Sequence, residues 1–455
     1  MFLAALFCKE KGLDPVAKYF LTRFVQCFGT ADPEGLGVKA LAERFGLDDR
    51  KVSKALTALV GCHAMTFSDP VEGRGRSKRY YRLQEDFHKK LDQGSPLPLT
   101  LHEVAVGNLL KHENRKAAQS SEKPEKPKVD LAPLANLRGK RQPDRLTVVN
   151  SLLLSVLLCR ADRFGVVSDL GSSELCKVTG LGKEDLKHRV QRLIDQGLIR
   201  AYVPGATSSV LFAKMKSVYV LNLNHPELSE GSDAISALAC SVGIASSGQV
   251  RHASDIYGHV RFLKNNPKAF EGAQHLQAVR FLEGQRDSLF RLLQLMLEQC
   301  AAQLLSKHWS ELGHLVINKR IDDQELRESI AKNFRPSSLA SDSGGDPRAM
   351  LVDELYHGAY DLAVGIKQQL CHATDVPFES MDFVIIPRPF KFRYTPIALL
   401  ALPKLPSGCP SYLVIKTSTE GEVVAQLFSC ESDIPLEDRY RSGLLTPPSS
   451  GMTAT

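Results

Sequence analysis

Residues 71–84, VEGRGRSKRYYRLQ, concentrate side chains suited to binding an anion. The stretch holds five basic residues, two glycines and two adjacent tyrosines between two runs that read as strands. Guanidinium and ammonium groups neutralise phosphates, arginine also pairs with guanine through a fork, and glycines let a turn follow a groove. A solvated basic turn with cross-strand packing of the tyrosines is the alternative. The candidate DNA contacts are Arg74, Arg76, Ser77, Lys78, Arg79 and Tyr80.

Residue types capable of catalysis form no recognisable constellation. The sequence has no Gly-Lys-Ser/Thr phosphate loop, no His-Glu-x-x-His motif and no nucleophile elbow. In YHGAYD and CHATD, His357 and His372 lie near Cys371, which is the composition of a Cys–His pair. A histidine without a defined partner is more often structural. We therefore predict that the chain is not an enzyme and has no cofactor and no metal site.

Cysteine usage and hydropathy indicate the compartment. Ten cysteines are scattered along the chain, and none form pairs at metal or redox spacing. Single buried thiols are typical of a reducing compartment. No apolar run reaches the roughly 18 residues that suggest a membrane span. We expect a cytoplasmic, nucleoid-associated protein without a membrane segment.

Charge is distributed unevenly along the chain. Residues 1–224 carry 36 lysines and arginines against 24 acidic residues, a net charge of +12, whereas residues 225–455 carry 22 against 27, a net charge of −5. A basic half joined to a mildly acidic half predicts that the first half binds a polyanion. The second half then has a different role, for which we expect homo-oligomerisation or contact with a protein partner.

The elements that must position the basic stretch precede it. DPVAKYFLTRFVQCFG predicts a helix opened by Asp14 and Pro15, and VKALAERFG predicts a short helix ended by Gly46. In LDDRKVSKALTALVG, apolar residues recur at the spacing of one buried helix face. HAMTFS and RYYRL predict a β-hairpin whose loop is the basic stretch. The third helix exposes a polar face comprising Arg50, Lys51, Ser53, Lys54 and Thr57.

A second segment, from about residue 146 to 223, repeats this order without repeating the sequence. LTVVNSLLLSVLLCRAD, SSELCKVTG and GKEDLKHRVQRLIDQGLI predict three helices, and IRAYVPG and SVYVLNL predict a hairpin. Ser172 or Ser173 is the expected cap of the second of these helices. The hairpin loop is uncharged at its tip, so DNA contact and protein contact remain equally open here. The candidate contacts are Lys183, Lys187, His188 and Arg192.

These patterns predict an α+β multidomain protein, with two three-helix-and-hairpin modules, a helical region and a small C-terminal β-containing region. The stretch between the modules is rich in Lys, Pro and Glu and cannot bury enough apolar surface to order itself. The predicted boundaries are 1–95 for the first module, 111–145 for a flexible linker, 146–224 for the second module, 231–335 for a helical region, 350–440 for an α+β region and 441–455 for a disordered tail.

VKALAERFGLDDRKVSKALTALVG and EGRGRSKRYYRL resemble winged helix-turn-helix DNA-binding proteins of the MarR-like and related bacterial kinds. The resemblance covers roughly residues 14–86, and a weaker resemblance covers 146–223. The second half of the chain resembles no family. In that fold the third helix enters the major groove and the wing lies on the backbone or in the minor groove. The resemblance thus implies base and phosphate contacts for the exposed face of the third helix and for the wing.

The expected function is sequence-specific binding of double-stranded DNA, as a transcriptional regulator of a prokaryote or mobile element. One alternative is a plasmid or mobile-element initiator of replication or partition that binds repeated sites. A second alternative is an adaptor whose winged helices bind protein. Retention of promoter-proximal sites, of clustered repeats or of no DNA distinguishes the three.

Overall fold

The computed structural model describes most of the chain. The described residues are 1–29, 31, 36–68, 79–93, 100–111, 146–207, 212, 214–229, 235–240, 253–266, 282, 285–313, 321–335, 347–388, 396–404, 411–417 and 423–448. No helix in these ranges is long and apolar enough to cross a membrane. The chain divides into a first unit, Met1–Asp162, Leu170–Gln196 and Pro226–Ser232, and a second unit, Arg163–Asp169, Gly197–His225 and Asp233–Thr455.

The first unit consists mainly of helices. They are α1 (Phe2–Phe7), α2 (Pro15–Phe28), α3 (Val38–Phe45), α4 (Asp49–Gly61), α5 (Glu85–Asp92), α6 (Glu103–Leu110), α7 (Val148–Leu158), α8 (Ser172–Thr179) and α9 (Lys183–Asp195). Two strands, β1 (Met65–Ser68) and β2 (Tyr80–Leu83), pair antiparallel, with Met65 opposite Leu83 and Ser68 opposite Tyr80.

The second unit contains two sheets and further helices. Strands β3 (Val166–Val167), β4 (Ile199–Val203) and β5 (Val218–Leu221) form one antiparallel sheet in the order β3-β5-β4. The larger sheet has the order β10-β9-β6-β8-β7, from β6 (Ser236–Cys240), β7 (Met381–Ile385), β8 (Ile397–Pro403), β9 (Tyr412–Thr417) and β10 (Val423–Phe428). The helices are α10 (Ala253–Asn265), α11 (Asp287–His308), α12 (Gln324–Lys332), α13 (Pro347–Ala373) and α14 (Leu436–Ser442). The prediction of a mixed helix-and-strand protein is confirmed.

Local sequence accounts for α2, α3 and α4. The Asp14 carboxylate accepts a hydrogen bond from the backbone N–H of Ala17 at 2.8 Å, and Pro15 occupies the first helical position, as expected. Gly46 ends α3 in the left-handed conformation, with φ of 63°. Val52, Ala55, Leu56 and Leu59 form the buried face of α4. The predicted helices and the hairpin that follows them are confirmed.

Helix α7 joins the second three-helix segment to the first. Residues 150–158 are all buried, and α7 packs on α2, α6 and α8. A helix that is apolar on every side must be enclosed by other elements. Consequently α7, α8 and α9 belong to the same compact unit as α1–α6, which differs from the two separate modules, 1–95 and 146–224, expected from the sequence. Residues 112–145, the expected linker, lie outside the described residues.

One local expectation in the second segment differs from the structure. The N-cap of α8 is Gly171, and neither Ser172 nor Ser173 takes that position. Thr147 caps α7, since its hydroxyl accepts from the backbone N–H of Asn150 at 3.3 Å. The predicted hairpin is confirmed, because β4 and β5 pair antiparallel with Val203 opposite Val218.

The region 231–335 is not purely helical, which corrects the expectation. Ser236–Cys240 is the central strand of the five-stranded sheet, antiparallel to β8 and parallel to β9. Every residue of this strand is buried. Its small side chains, SALAC, carry little intrinsic strand preference, so pairing with strands more than 150 residues further along the chain decides its conformation.

The tail predicted to be disordered, 441–455, is ordered over its first part, which is a second correction. Helix α14 ends at Ser442, and Leu444 and Leu445 are buried. The backbone N–H of Thr446 donates to the carbonyl of Arg200 at 3.2 Å, and the Thr446 hydroxyl donates to the same oxygen at 2.7 Å. Contacts with β4 therefore order a segment whose own composition is typical of disorder. Residues 449–455 lie outside the described residues.

A buried ion pair fastens β4 to this C-terminal segment. The Arg200 guanidinium donates to both carboxylate oxygens of Glu431, at 2.5 and 2.6 Å, and to the carbonyl of Leu444 at 3.1 Å. The Asn224 amide donates to Glu431 at 2.6 Å. Burial raises the pKa of Glu431, but the charge and hydrogen bonds of Arg200 outweigh it, so the pKa lies below its ordinary value. The pair is thus held in its charged form.

Packing of aromatic rings fixes α11 against β7. Trp309 follows the end of α11 and is buried, and its ring stacks on Phe383 at 5.5 Å and lies 5.6 Å from Phe378. Trp309, the single tryptophan of the chain, therefore anchors the end of α11 against β7.

Arg200→Met should lower the free energy of unfolding by about 3–5 kcal/mol, because it leaves the Glu431 carboxylate buried without its partner. The matched control is Arg163→Met, which removes an ion pair with Asp382 at 3.3 Å whose side chains are 43% and 33% exposed. Exposed pairs contribute about 0–1 kcal/mol. Urea denaturation measures both variants, and equal losses would contradict the assigned role of Arg200.

Glu298→Gln should remove a pH dependence of stability. Glu298 lies buried on α11, with one carboxylate oxygen accepting from the Gln294 amide at 2.8 Å and the other without a hydrogen-bond partner. Burial raises its pKa from 4.5 to about 8. Between these values the unfolded chain has lost a proton that the folded chain keeps, so the free energy of unfolding falls as pH rises.

This fall should reach about 1.4 kcal/mol per pH unit in the wild type. It should be absent in Glu298→Gln and retained in the control Glu379→Gln, which removes an exposed carboxylate. Urea denaturation at intervals from pH 5 to pH 8 gives the comparison. Parallel stability curves for the wild type and Glu298→Gln would show that Glu298 is already ionised in the folded chain.

Candidate nucleic-acid interface

The exposed face of α4 is the clearest candidate surface. Opposite the buried stripe of this helix, the side chains predicted to contact DNA are all exposed, namely Arg50, Lys51, Ser53, Lys54 and Thr57. The Thr57 hydroxyl donates to the carbonyl of Ser53 at 2.9 Å, within the helix. The face therefore offers three cations and two small polar groups on about two turns of helix.

Two of these cations have carboxylate partners. Lys51 pairs with Asp48 at 2.6 Å and Lys54 pairs with Asp14 at 2.9 Å. The hydrogen bond and charge of Lys51 hold the pKa of Asp48 below its ordinary value. For Asp14, partial burial raises the pKa, but the Ala17 N–H and Lys54 lower it further, so the net shift is downward. Such exposed pairs are weak, so a phosphate can replace the carboxylate at little cost.

The hairpin places only part of the predicted wing. Arg79 is exposed, and its guanidinium lies over the Phe67 ring at 4.8 Å. Tyr80 is half-buried, whereas Tyr81 is buried and its ring lies 6.1 Å from that of Phe67. Tyr80 is thus the tyrosine with an accessible edge. The other predicted wing contacts, Arg74, Arg76, Ser77 and Lys78, lie outside the described residues.

Helix α9 presents a second basic face. Lys183, Lys187 and His188 are exposed and Arg192 is half-buried, opposite a buried stripe of Leu186, Val190, Leu193 and Ile194. Arg189 was missed as a positioning residue. It donates to the Thr147 hydroxyl at 3.1 Å and to the side-chain amide oxygen of Asn150 at 3.0 Å. Its spacing of three from Leu186 and four from Leu193 is the signal that places it beside the buried stripe.

Burial lowers the pKa of Arg189 below its ordinary value, with the charge of Arg192 adding to this effect. The two hydrogen bonds compensate part of the lost hydration of the guanidinium. Arg189 therefore fastens α9 to the start of α7, and its neighbours Lys187 and His188 are left on the exposed side.

A close backbone contact joins the turn before α9 to the residues that precede α2. Gly180 follows α8 with φ of +73°, and a Cβ there would lie 2.4 Å from the carbonyl oxygen of Leu13 and 3.2 Å from the carbonyl carbon of Asp14. The side chain of Asp14 reaches Lys54 on α4. The residues just before α2 therefore contact both the turn that leads into α9 and a lysine of α4 within the first unit.

No protein-family model matches the sequence, and no curated protein is similar enough to count as a relative. The assignment of the interface consequently depends on the residues and contacts of this chain.

The histidines considered for catalysis have other partners. His357 lies 3.4 Å from a guanidinium nitrogen of Arg327, and His372 is exposed, with its Nδ1 2.7 Å from the carbonyl of Gln368. Within the described ranges, no group of three or more His, Cys, Asp or Glu residues is placed to hold a metal ion.

Gly180→Ala should lower the free energy of unfolding of the first unit by more than the cost of placing an alanine in the left-handed backbone conformation. A non-glycine residue in the left-handed region costs about 1–2 kcal/mol, and displacing the Leu13 carbonyl adds about 1–3 kcal/mol. The matched control is Gly12→Ala, where φ is +84° and nothing lies within 4 Å of the added Cβ. Urea denaturation should give a clearly larger loss for Gly180→Ala, and equal losses would contradict the close contact.

Proposed function

We propose that the protein binds double-stranded DNA sequence-specifically through α4 and α9 and regulates transcription. The observation that carries this proposal is the pair of exposed basic helix faces, on α4 and on α9, that one compact unit contains. Each face stands opposite a buried apolar stripe, so its polar residues contribute little to packing. Exposed, positioned cations of this kind suit phosphates and base edges.

The order of elements along the chain supports the proposal. Helices α2, α3 and α4 precede the β1–β2 hairpin, which is the order of a winged helix-turn-helix. Helix α7, strand β3, helices α8 and α9, and strands β4 and β5 follow the order helix, strand, helix, helix, strand, strand, which that fold also has. In such proteins the third helix enters the major groove with its first residues on base edges. In this chain those residues are Arg50 and Lys51 on α4, and Lys183 and Lys187 on α9.

The affinity typical of sequence-specific binding favours two helices that contact DNA together. Contact with phosphates alone gives dissociation constants of roughly 10⁻⁴–10⁻⁶ M at physiological salt, and specific binding is typically 10³–10⁷ times tighter. A single basic helix offers few groups that can read base edges. Two such helices in one compact unit supply more of these groups from a single chain, and the basic excess of residues 1–224 adds non-specific attraction.

The repeated helix and strand order favours one further candidate, an initiator of replication or partition that binds iterated sites. The full chain, incubated with fragmented DNA from its source and recovered at moderate salt, retains different sequences in the two cases. A few promoter-proximal sites support a regulator, and clustered repeats support an initiator. Recovery of fragments in the proportions of the input would contradict both and favour a protein-binding adaptor.

Changing Arg50, Lys51 and Lys54 together to alanine should weaken binding to duplex DNA and flatten its salt dependence. Each phosphate contact contributes about 0.9 to the slope of the logarithm of affinity against the logarithm of salt concentration. The loss of three contacts should reduce the slope by about 2 to 3, and the preferred sequence should also change. Fluorescence anisotropy with a labelled duplex over a salt series measures affinity and slope.

The matched control is the triple change of Arg261, Arg286 and Arg291 to alanine, which removes the same charge from exposed positions on or next to α10 and α11. Its slope should remain that of the wild type. If both triple variants lose the same affinity, net charge alone governs binding and α4 is not the contact surface.

A further inference from the structure

A cleft in the second unit has the size and lining of a small-molecule site. It is an open cleft of about 730 Å³ between α12 and the first two turns of α13. Ligand sites commonly measure about 300–1,000 Å³ and combine an apolar wall with a few placed polar groups. Phe334 and Val352 line this cleft and are both buried, so they supply an apolar wall.

Cations outnumber acids in the described residues that line the cleft. The cations are Arg327, Lys332, Arg335 and Arg348, and the acids are Glu328 and Asp353. Asp353 is already paired with Arg327, and Glu328 accepts from the Gln324 amide at 3.2 Å. The excess charge of the cleft is therefore positive and faces the same space as the apolar wall.

Two of the guanidinium groups are held in place by their surroundings. Arg327 donates from Nε to Asp322 at 2.6 Å, and its guanidinium lies 4.1 Å from the centre of the Tyr356 ring. Arg335 donates from Nε to the carbonyl of Phe212 at 3.1 Å, and the ring of Phe212 stacks on Phe334 at 5.3 Å. Groups that are already ordered lose less entropy when a ligand binds.

The start of α13 adds to the positive potential. Arg348 and Ala349 line the cleft and lie in the first turn of this 27-residue helix. The first turn of a helix carries partial positive charge and favours anions. Lys332, at the end of α12, faces the cleft as an exposed ammonium group. Side-chain charge and helix dipole thus act in the same direction.

We propose that this cleft binds a small organic anion in which a carboxylate or phosphate group is joined to an apolar body. The anionic group contacts Lys332, Arg335 and Arg348, and the apolar body packs on Phe334 and Val352. A bare inorganic ion leaves the apolar wall uncovered, and a neutral apolar molecule makes no use of the positive potential of the cleft. The site belongs to the second unit and does not depend on DNA binding by the first.

The test uses the full-length chain and 8-anilinonaphthalene-1-sulfonate, a fluorescent aromatic anion, as the probe. The probe should bind with one-to-one stoichiometry. Lys332→Glu and the double variant Lys332→Gln/Arg348→Gln should each raise its dissociation constant at least tenfold. The matched control Lys307→Gln/Arg291→Gln removes two cations of α11 and should leave the dissociation constant of the probe unchanged. N-phenyl-1-naphthylamine, which lacks the sulfonate, should bind the wild type and both double variants equally.

Competition then identifies the chemistry of the anion. Hexanoate and hexyl phosphate should displace the probe. Whichever of the two binds more tightly shows whether the site prefers a carboxylate or a phosphate. Inorganic phosphate should bind at least tenfold more weakly than either. Equal probe affinity in the cleft variants and the control would overturn the proposal. Displacement by a short DNA duplex but by neither hexyl compound would overturn it as well, and would assign the cations to a nucleic-acid surface.

Discussion

The close approach of Gly180 to the backbone of Leu13 and Asp14 places the turn into α9 against the residues that precede α2. A side chain at position 180 would overlap the Leu13 carbonyl, so the turn into α9 can reach α2 only because that residue has no Cβ. Asp14 caps α2 at this point and its carboxylate also meets Lys54 on α4. The enclosed helix α7 and the hydrogen bonds of Arg189 then secure α9 at its other side.

Buried polar groups determine the organisation of the second unit in a similar way. The Arg200–Glu431 pair holds β4 and the C-terminal segment together, and Asn224 joins them through its hydrogen bond to Glu431. Removing either charge would leave the other buried without its partner, which is strongly destabilising. Phe212, in the connection between β4 and β5, packs on Phe334 beside the cationic cleft. At Phe212, the loop of the second hairpin is therefore held in contact with the end of α12. A hairpin used in this way is less available to follow a DNA groove than the β1–β2 hairpin.

Local patterns in the sequence predict the elements of the first unit well, and contacts between distant segments explain what they miss. The stripe from Val52 to Leu59 identifies both the buried and the polar face of α4, because helical spacing alone determines them. The same reasoning places Lys183 and Lys187 on α9. It does not find β6, whose conformation depends on pairing with β8 and β9, or the ordered residues 443–448, which depend on Arg200. Because these pairing partners lie far along the chain, the sequence around the residues that they order has no periodic pattern from which their structure could be predicted.

Lysine footprinting tests the central claim, that α4 and α9 form one DNA-binding surface. The full chain is acetylated with and without a 30-base-pair duplex, and mass spectrometry gives the reactivity of each lysine. Lys51 and Lys54 on α4 and Lys183 and Lys187 on α9 should become protected together over the same range of duplex concentration, while Lys307 in the second unit should stay reactive. Unchanged reactivity of the lysines on either helix at saturating duplex would contradict it.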